Sequence, residues 1–205
     1  MGEIIRLLKR DWPHLLGITM VFLVMVILGY FLPDIWPDFA KTFSNTYIEY
    51  LMELVEKIRN TPLYHQIYII WLNNFLVSIL TIVMGIVPVP ILPMIPLISN
   101  AVFMGLLQRI SESKVNGLSF YAALLPHGIF EIPAFFIAVY LGIRLSLIPY
   151  KMIWHYLKTK EIRPFYKEYL ADLRYYLILI FILLTVAAVI EMTVSPLLIG
   201  SGKTF

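Results

Sequence analysis

LLPHGIFEIPAFFIAVYLGIR, residues Leu124–Arg144, decides how the rest of the chain is read. It is apolar and long enough to cross a bilayer, which takes about 20 helical residues. Yet it carries His127 and Glu131, four apart and so on one face of a helix. An ionisable pair is costly in hydrocarbon, so these two are expected to face protein or a watery cavity. Pro126 and Pro133 each remove a backbone donor and are expected to flank or break the span. Beyond them Ala134, Ala138 and Gly142 recur every four residues, a small-residue stripe on which another helix can pack closely.

The same character extends over the whole chain. Of its 205 residues 60% are hydrophobic and only 14% are charged, which points to an all-α, polytopic membrane bundle. One membrane domain, 1–205, accounts for the length. The net charge of +3 is modest and the basic residues flank apolar spans. They read as topology signals, and no nucleic-acid partner is expected. The lipid bilayer is the first partner. There is no cysteine, hence neither a disulfide nor thiolate chemistry.

Hydropathy and prolines divide the domain. A basic segment, 1–12, precedes a first span at 13–32, which Pro33 ends. It lacks the short apolar core and cleavage site of a signal peptide. Residues 33–65 form an external amphipathic helix, with Phe39, Phe43, Tyr47, Tyr50, Leu51, Leu54 and Ile58 on one face. Glu53 and Lys57 make a favourable i,i+4 pair on the other. The second span is 66–87. The third, 88–110, starts with Pro88, Pro90, Pro93 and Pro96, so its beginning is irregular. The fourth is 118–143 and the fifth 175–194. Between them, 144–174 is an interfacial loop in which Tyr150, Ile153, Trp154 and Leu157 share a face and Lys151 and Lys158 can snorkel. About five spans with broken third and fourth members are expected. The tail IGSGKTF lacks the first glycine of a phosphate loop, since that position is Leu197.

Charge counting orients the bundle. With five spans and a cytoplasmic N-terminus in the cell membrane, the loop holding Arg144, Lys151, Lys158, Lys160, Arg163, Lys167 and Arg174 is cytoplasmic. Helix rise then sets depth. Asn73 lies about 10 Å in from the outer end of span two, and His127 about 12–14 Å in from that of span four. Glu131 and Asn100 fall nearer mid-bilayer, and Glu191 in the outer part. Asn73, Asn74, Asn100, His127, Glu131 and Glu191 thus form one candidate intramembrane polar site. Its plainest alternative is a set of interhelical bonds that merely hold the bundle together. Arg144 is most simply a topology anchor.

These residues resemble the signature of the stage II sporulation protein M-like family of integral membrane proteins. The resemblance runs from about Asn73 to Pro196. It rests on Asn73–Asn74, Gly85, Asn100 and Gly105, then on Pro126-His127-Gly128 with Glu131, Pro133, Ala134, Ala138, Gly142 and Arg144, and on Ala188, Glu191 and Pro196. The chain departs from the pattern at VPVPILPMIP and at Ala101. The resemblance implies a membrane component that works with partner proteins; a role in sporulation does not follow from fold.

Three functions compete. The first is a non-enzymatic membrane component or scaffold, with protein partners or a homodimer mate. The second is a small permease or channel-like protein using the polar site. The third is an intramembrane metal-dependent hydrolase, for which His127 and Glu131 alone are too few ligands. No cofactor is expected, the metal question stays open, and no catalytic residue is assigned.

Overall fold

A computed structural model describes residues 2–58, 61–112 and 117–193. The side chains of residues 51, 54, 55, 58, 111 and 117–127 lie outside the described set. The described chain is seven helices: α1 (Gly2–Ile35), α2 (Pro37–Ile58), α3 (Leu63–Met84), α4 (Met94–Glu112), α5 (Gly117–Ser146), α6 (Ile148–Thr159) and α7 (Phe165–Thr193). Four of them, α1, α3, α5 and α7, are long and apolar enough to cross a membrane. α4 is a shorter apolar helix. Its 19 residues still reach about 28 Å, close to the thickness of the hydrocarbon layer.

α5 is the central helix, packed against α7, α3, α4 and α1. Its second half, with Ala134, Ala138, Val139 and Leu141, is fully buried. Small side chains there let neighbours approach, which is how helices associate where no hydrophobic drive separates protein from lipid. The prolines do not divide it. Gly117–Ser146 is one helix passing Pro126 and Pro133, where a broken fourth span is the sequence expectation. The Pro133 ring sits on the exposed side, and packing on the following turns holds the helix together despite a missing ladder bond. α1 likewise runs through Pro13 and Pro33, starting at Gly2 instead of residue 13 and ending two residues beyond Pro33.

Two glycine seams set the helix spacing. At the first, a Cβ on Gly105 would lie 2.0 Å from the Val26 carbonyl oxygen, and one on Gly29 2.3 Å from that of Val102. α1 and α4 therefore run side by side, backbone on backbone, in the same direction. At the second, a Cβ on Gly85 would lie 2.1 Å from the Gly142 carbonyl oxygen, and one on Gly142 2.6 Å from that of Thr81. This joins the end of α3 to the end of α5.

The seams also fix the path of α4. Residues 85–93 stand beside the C-terminal end of α5, whereas Arg109 of α4 stands beside Asp34 at the far end of α1. α4 therefore travels the length of the bundle. Its irregular start satisfies its own backbone: Gly85 N–H donates to Ile82, Ile86 to Val83, Leu92 to Val89 and Met94 to Ile91. The Tyr150 hydroxyl of α6 donates to the Pro88 carbonyl at 2.5 Å. Irregular backbone near a membrane requires this kind of internal partner.

α2 docks on α1, α4 and α3, but not by the whole face that periodicity suggests. Ala40 and Ser44 are buried, Phe43 and Tyr47 half-buried, while Phe39 is 55% exposed. Tyr47 stacks on Phe103 of α4 with centroids 4.5 Å apart, which rotates the docked stripe toward Ala40 and Ser44. Leu51, Leu54 and Ile58 of the expected stripe are among the side chains outside the described set.

A candidate polar cavity and a buried ion cluster

A cavity of about 310 Å³ opens between α1, α3, α4, α5 and α7, with α2 at its rim. Its polar lining is Tyr50, Asn73, Asn74, Ser78, Asn100 and Glu131; its apolar walls include Phe22, Phe103, Ile132, Phe135 and Leu184. Four of the six sequence-selected polar residues thus meet at one place. They do so because Asn73, Asn74 and Ser78 fall on one stretch of α3, Asn100 sits two turns into α4, and Glu131 lies three residues before the buried Ala134 of α5.

Local bonding shapes the lining. The Tyr50 hydroxyl donates to Asn73 Oδ1 at 2.5 Å, tying α2 to α3. Asn73 Nδ2 reaches Asn74 Oδ1 at 3.5 Å, and Ser78 Oγ donates to the Asn74 carbonyl at 2.9 Å. Asn100 Nδ2 donates to the Pro96 carbonyl of its own helix at 2.9 Å. Burial pushes the Tyr47 phenol upward in pKa, so it remains a protonated donor at neutral pH. On the open side of α2, the Lys57 ammonium holds the Glu53 carboxyl below its usual range.

The other selected residues stand apart from this lining. Glu191 on α7 is half-buried and does not line the cavity. Pro126 and His127 lie in α5 with side chains outside the described set. Gly128 lines the cavity and leaves open space, since a Cβ there would meet only Ile132 Cδ1 at 3.6 Å. Ala134, Ala138 and Gly142 belong to the packed half of α5, below the cavity. Pro196 and the tail from residue 194 lie outside the described residues. Among the described residues no group of three or more His, Cys, Asp or Glu could hold a metal.

A second polar centre escapes sequence reasoning. Arg144 is no simple anchor: its Nη2 donates to Asp172 Oδ2 at 3.0 Å, and its Nη1 stands 3.8 Å from Asp11 Oδ2. Arg10 donates twice to Asp11, both at 2.7 Å, and once to Asp172 at 2.7 Å. The Tyr176 hydroxyl donates to Asp11 at 2.7 Å. Asp11 is only 3% exposed. The guanidinium of Arg144 lies over the rings of Tyr140 and Tyr169, 5.5 and 5.8 Å from their centroids. Two cations and two anions thereby join α1, α5 and α7 without net charge, which is what burial of ions demands. The available signal was Arg10-Asp11 at the edge of an apolar run; nothing local says that Asp172, 161 residues later, completes it.

At the opposite end Arg109 donates to the Tyr30 hydroxyl at 3.2 Å and to Asp34 at 3.4 Å, and Tyr30 donates to Glu112 at 2.7 Å. This exposed network closes the α1–α4 pair beyond the glycine seam.

A bundle of apolar helices closed by glycine seams, with polar groups gathered inside it, defines a polytopic α-helical membrane protein. A family model described as stage II sporulation protein M matches residues 18–196. The chain belongs to that family. It is similar to uncharacterized protein MJ0706 of Methanocaldococcus jannaschii, 26% identical over 200 residues, covering 95% of this chain and 87% of that protein. It is also similar to uncharacterized protein MJ0793 of the same organism, 39% identical over 75 residues, covering 37% of this chain and 40% of that one. No solved structure matches the chain.

Proposed function

We propose that the protein is a non-enzymatic membrane component that holds a protein partner through α2. The observation that carries this reading is the construction of α2. It is tied down by Tyr47 on Phe103 and Tyr50 on Asn73, while its other face presents Phe39, Met52 and the acids Glu49, Glu53 and Glu56 to the surroundings. A helix held in place yet showing apolar and acidic residues suits a docking element. From its basic residues we read the end with Arg10, Arg144 and α6 as cytoplasmic, and α2 as external. On α6, Trp154 is 63% exposed beside Lys158, whose ammonium lies 4.7 Å from the ring centroid. That pairing suits a helix lying at the lipid headgroups.

Copurification from native membranes tests the reading. A partner retained by the intact protein and lost on deleting residues 38–60 is the expected result. Retention of the same partner without α2 would overturn it.

A second reading, a small permease, is favoured by the cavity itself. Against a through-path, the half of the bundle beneath it is filled by Leu97, Ala101, Ala138 and Leu141, none of them accessible. Substrate-dependent flux in liposomes that disappears with Glu131→Gln would select the permease over the scaffold.

A further inference from the structure

The cavity has one acid in its lining and no base among the described lining residues. The Tyr50 and Ser78 hydroxyls donate within the protein, and the Asn73 and Asn100 amides each place one N–H on a protein acceptor. What the lining offers a guest is the Glu131 carboxyl, Asn100 Oδ1, the remaining lone pairs of Tyr50 and Ser78, and asparagine amide N–H groups. No lysine, arginine or histidine is among its described lining residues. An acid in such a setting needs a cation to remain charged. The walls show which kind of cation fits. Phe22, Phe103 and Phe135 bring three aromatic rings to the cavity. Rings offer nothing to a small metal ion that needs six or more oxygen ligands, but their faces attract an ammonium that carries apolar substituents. A volume of about 310 Å³ admits a small molecule or a lipid headgroup and not a folded segment.

We propose that this cavity binds an organic ammonium group, with Glu131 as its counter-charge, Asn100 Oδ1 as an acceptor and Phe22, Phe103 and Phe135 as its aromatic walls. The ammonium can belong to a free amine or to the headgroup of a membrane lipid; the chemistry of recognition is the same. The inference goes beyond the docking role of α2 and stands or falls separately from it.

The experiment uses the full-length purified protein. Calorimetric titration with choline chloride and with ethanolamine in detergent reads the free-amine source. Mass spectrometry of lipids retained by the protein, reconstituted with phosphatidylethanolamine or with phosphatidylglycerol alone, reads the lipid source. Saturable binding in either arm is expected, weakened at least about tenfold by Glu131→Gln. Phe135→Leu should weaken it about fivefold. Asn100 is exposed at the cavity rim, so its variants spare the core. Asn100→Asp should tighten binding about threefold by adding an anion, and Asn100→Lys should abolish it by placing a tethered ammonium at the mouth. These two variants probe the same charge requirement if Glu131→Gln does not fold. Binding in neither arm, or binding indifferent to the charge at residues 131 and 100, overturns the proposal. Failure of copurification through α2 leaves this result untouched.

Discussion

At one end of the bundle Arg10, Asp11, Arg144 and Asp172 neutralise one another in a packed junction. In the other half Glu131 shares a cavity with three asparagines, and no described lining residue is basic. The first arrangement is complete in itself: each charge has its partner, and three helices depend on the result. The second is open: space remains, and its acid looks into that space. The contrast separates polar groups that hold the fold from polar groups that await something. A charge inside oil is therefore not by itself a sign of activity; the two cases differ in that described residues supply the counter-charges of the first, and no described lining residue supplies one for Glu131.

Removing one ion from the closed junction should have the largest effect. Asp11→Asn leaves Arg144 and Arg10 with one carboxylate between them and should destabilise the protein by about 3–5 kcal/mol, read by denaturation in mixed micelles with helicity as the signal. An unchanged midpoint would mean that the cluster is surface decoration. Next comes the packing beneath the cavity. A methyl group on Gly142 has no room against Thr81 and Pro93, so Gly142→Ala should lose about 1–3 kcal/mol. The same substitution at Gly128, where the space is open, should lose less, and equal losses would erase the distinction between seam and cavity.

Smaller effects belong to the open half. Tyr50→Phe removes the hydroxyl that bonds Asn73 and should cost about 0.6–1.5 kcal/mol. It should also raise protease sensitivity within α2, since its described side-chain bond to α3 is gone. Smallest of all, Glu131→Gln should change the stability of the unliganded protein by less than about 1 kcal/mol in either direction. A loss as large as that of Asp11→Asn would show that Glu131 too is a structural ion and would dissolve the comparison.

Much of this was readable from the chain, and the unread part has a common physical cause. Apolar length marks the long helices, because it is a local property. The grouping of Asn73, Asn74, Asn100 and Glu131 follows from helix rise applied to alternating directions. The fate of Pro126 and Pro133 does not: a lone proline's effect depends on what packs around the following turns, and the buried run from Ala134 to Leu141 keeps α5 whole. The docked face of α2 was also hidden, since an aromatic stripe says that a helix is amphipathic and not which residues its neighbours receive. Here Phe103 selected Tyr47. The ion cluster was least legible. Its members are drawn from α1, α5 and α7, and pairing over such separations leaves no periodicity to find.

The separation has a consequence for how the protein is made. Asp11 and Tyr176 are 165 residues apart, so at about 5–20 residues per second the hydroxyl arrives roughly 8–30 s after the carboxylate leaves the ribosome. Through that interval the first helix must keep an acid at the edge of the bilayer without its later partners. Arg10, the adjacent residue with two bonds to the same carboxylate, can shield it from the start. The newborn chain thus carries its own temporary escort, which becomes a permanent part of the junction once the last helix arrives.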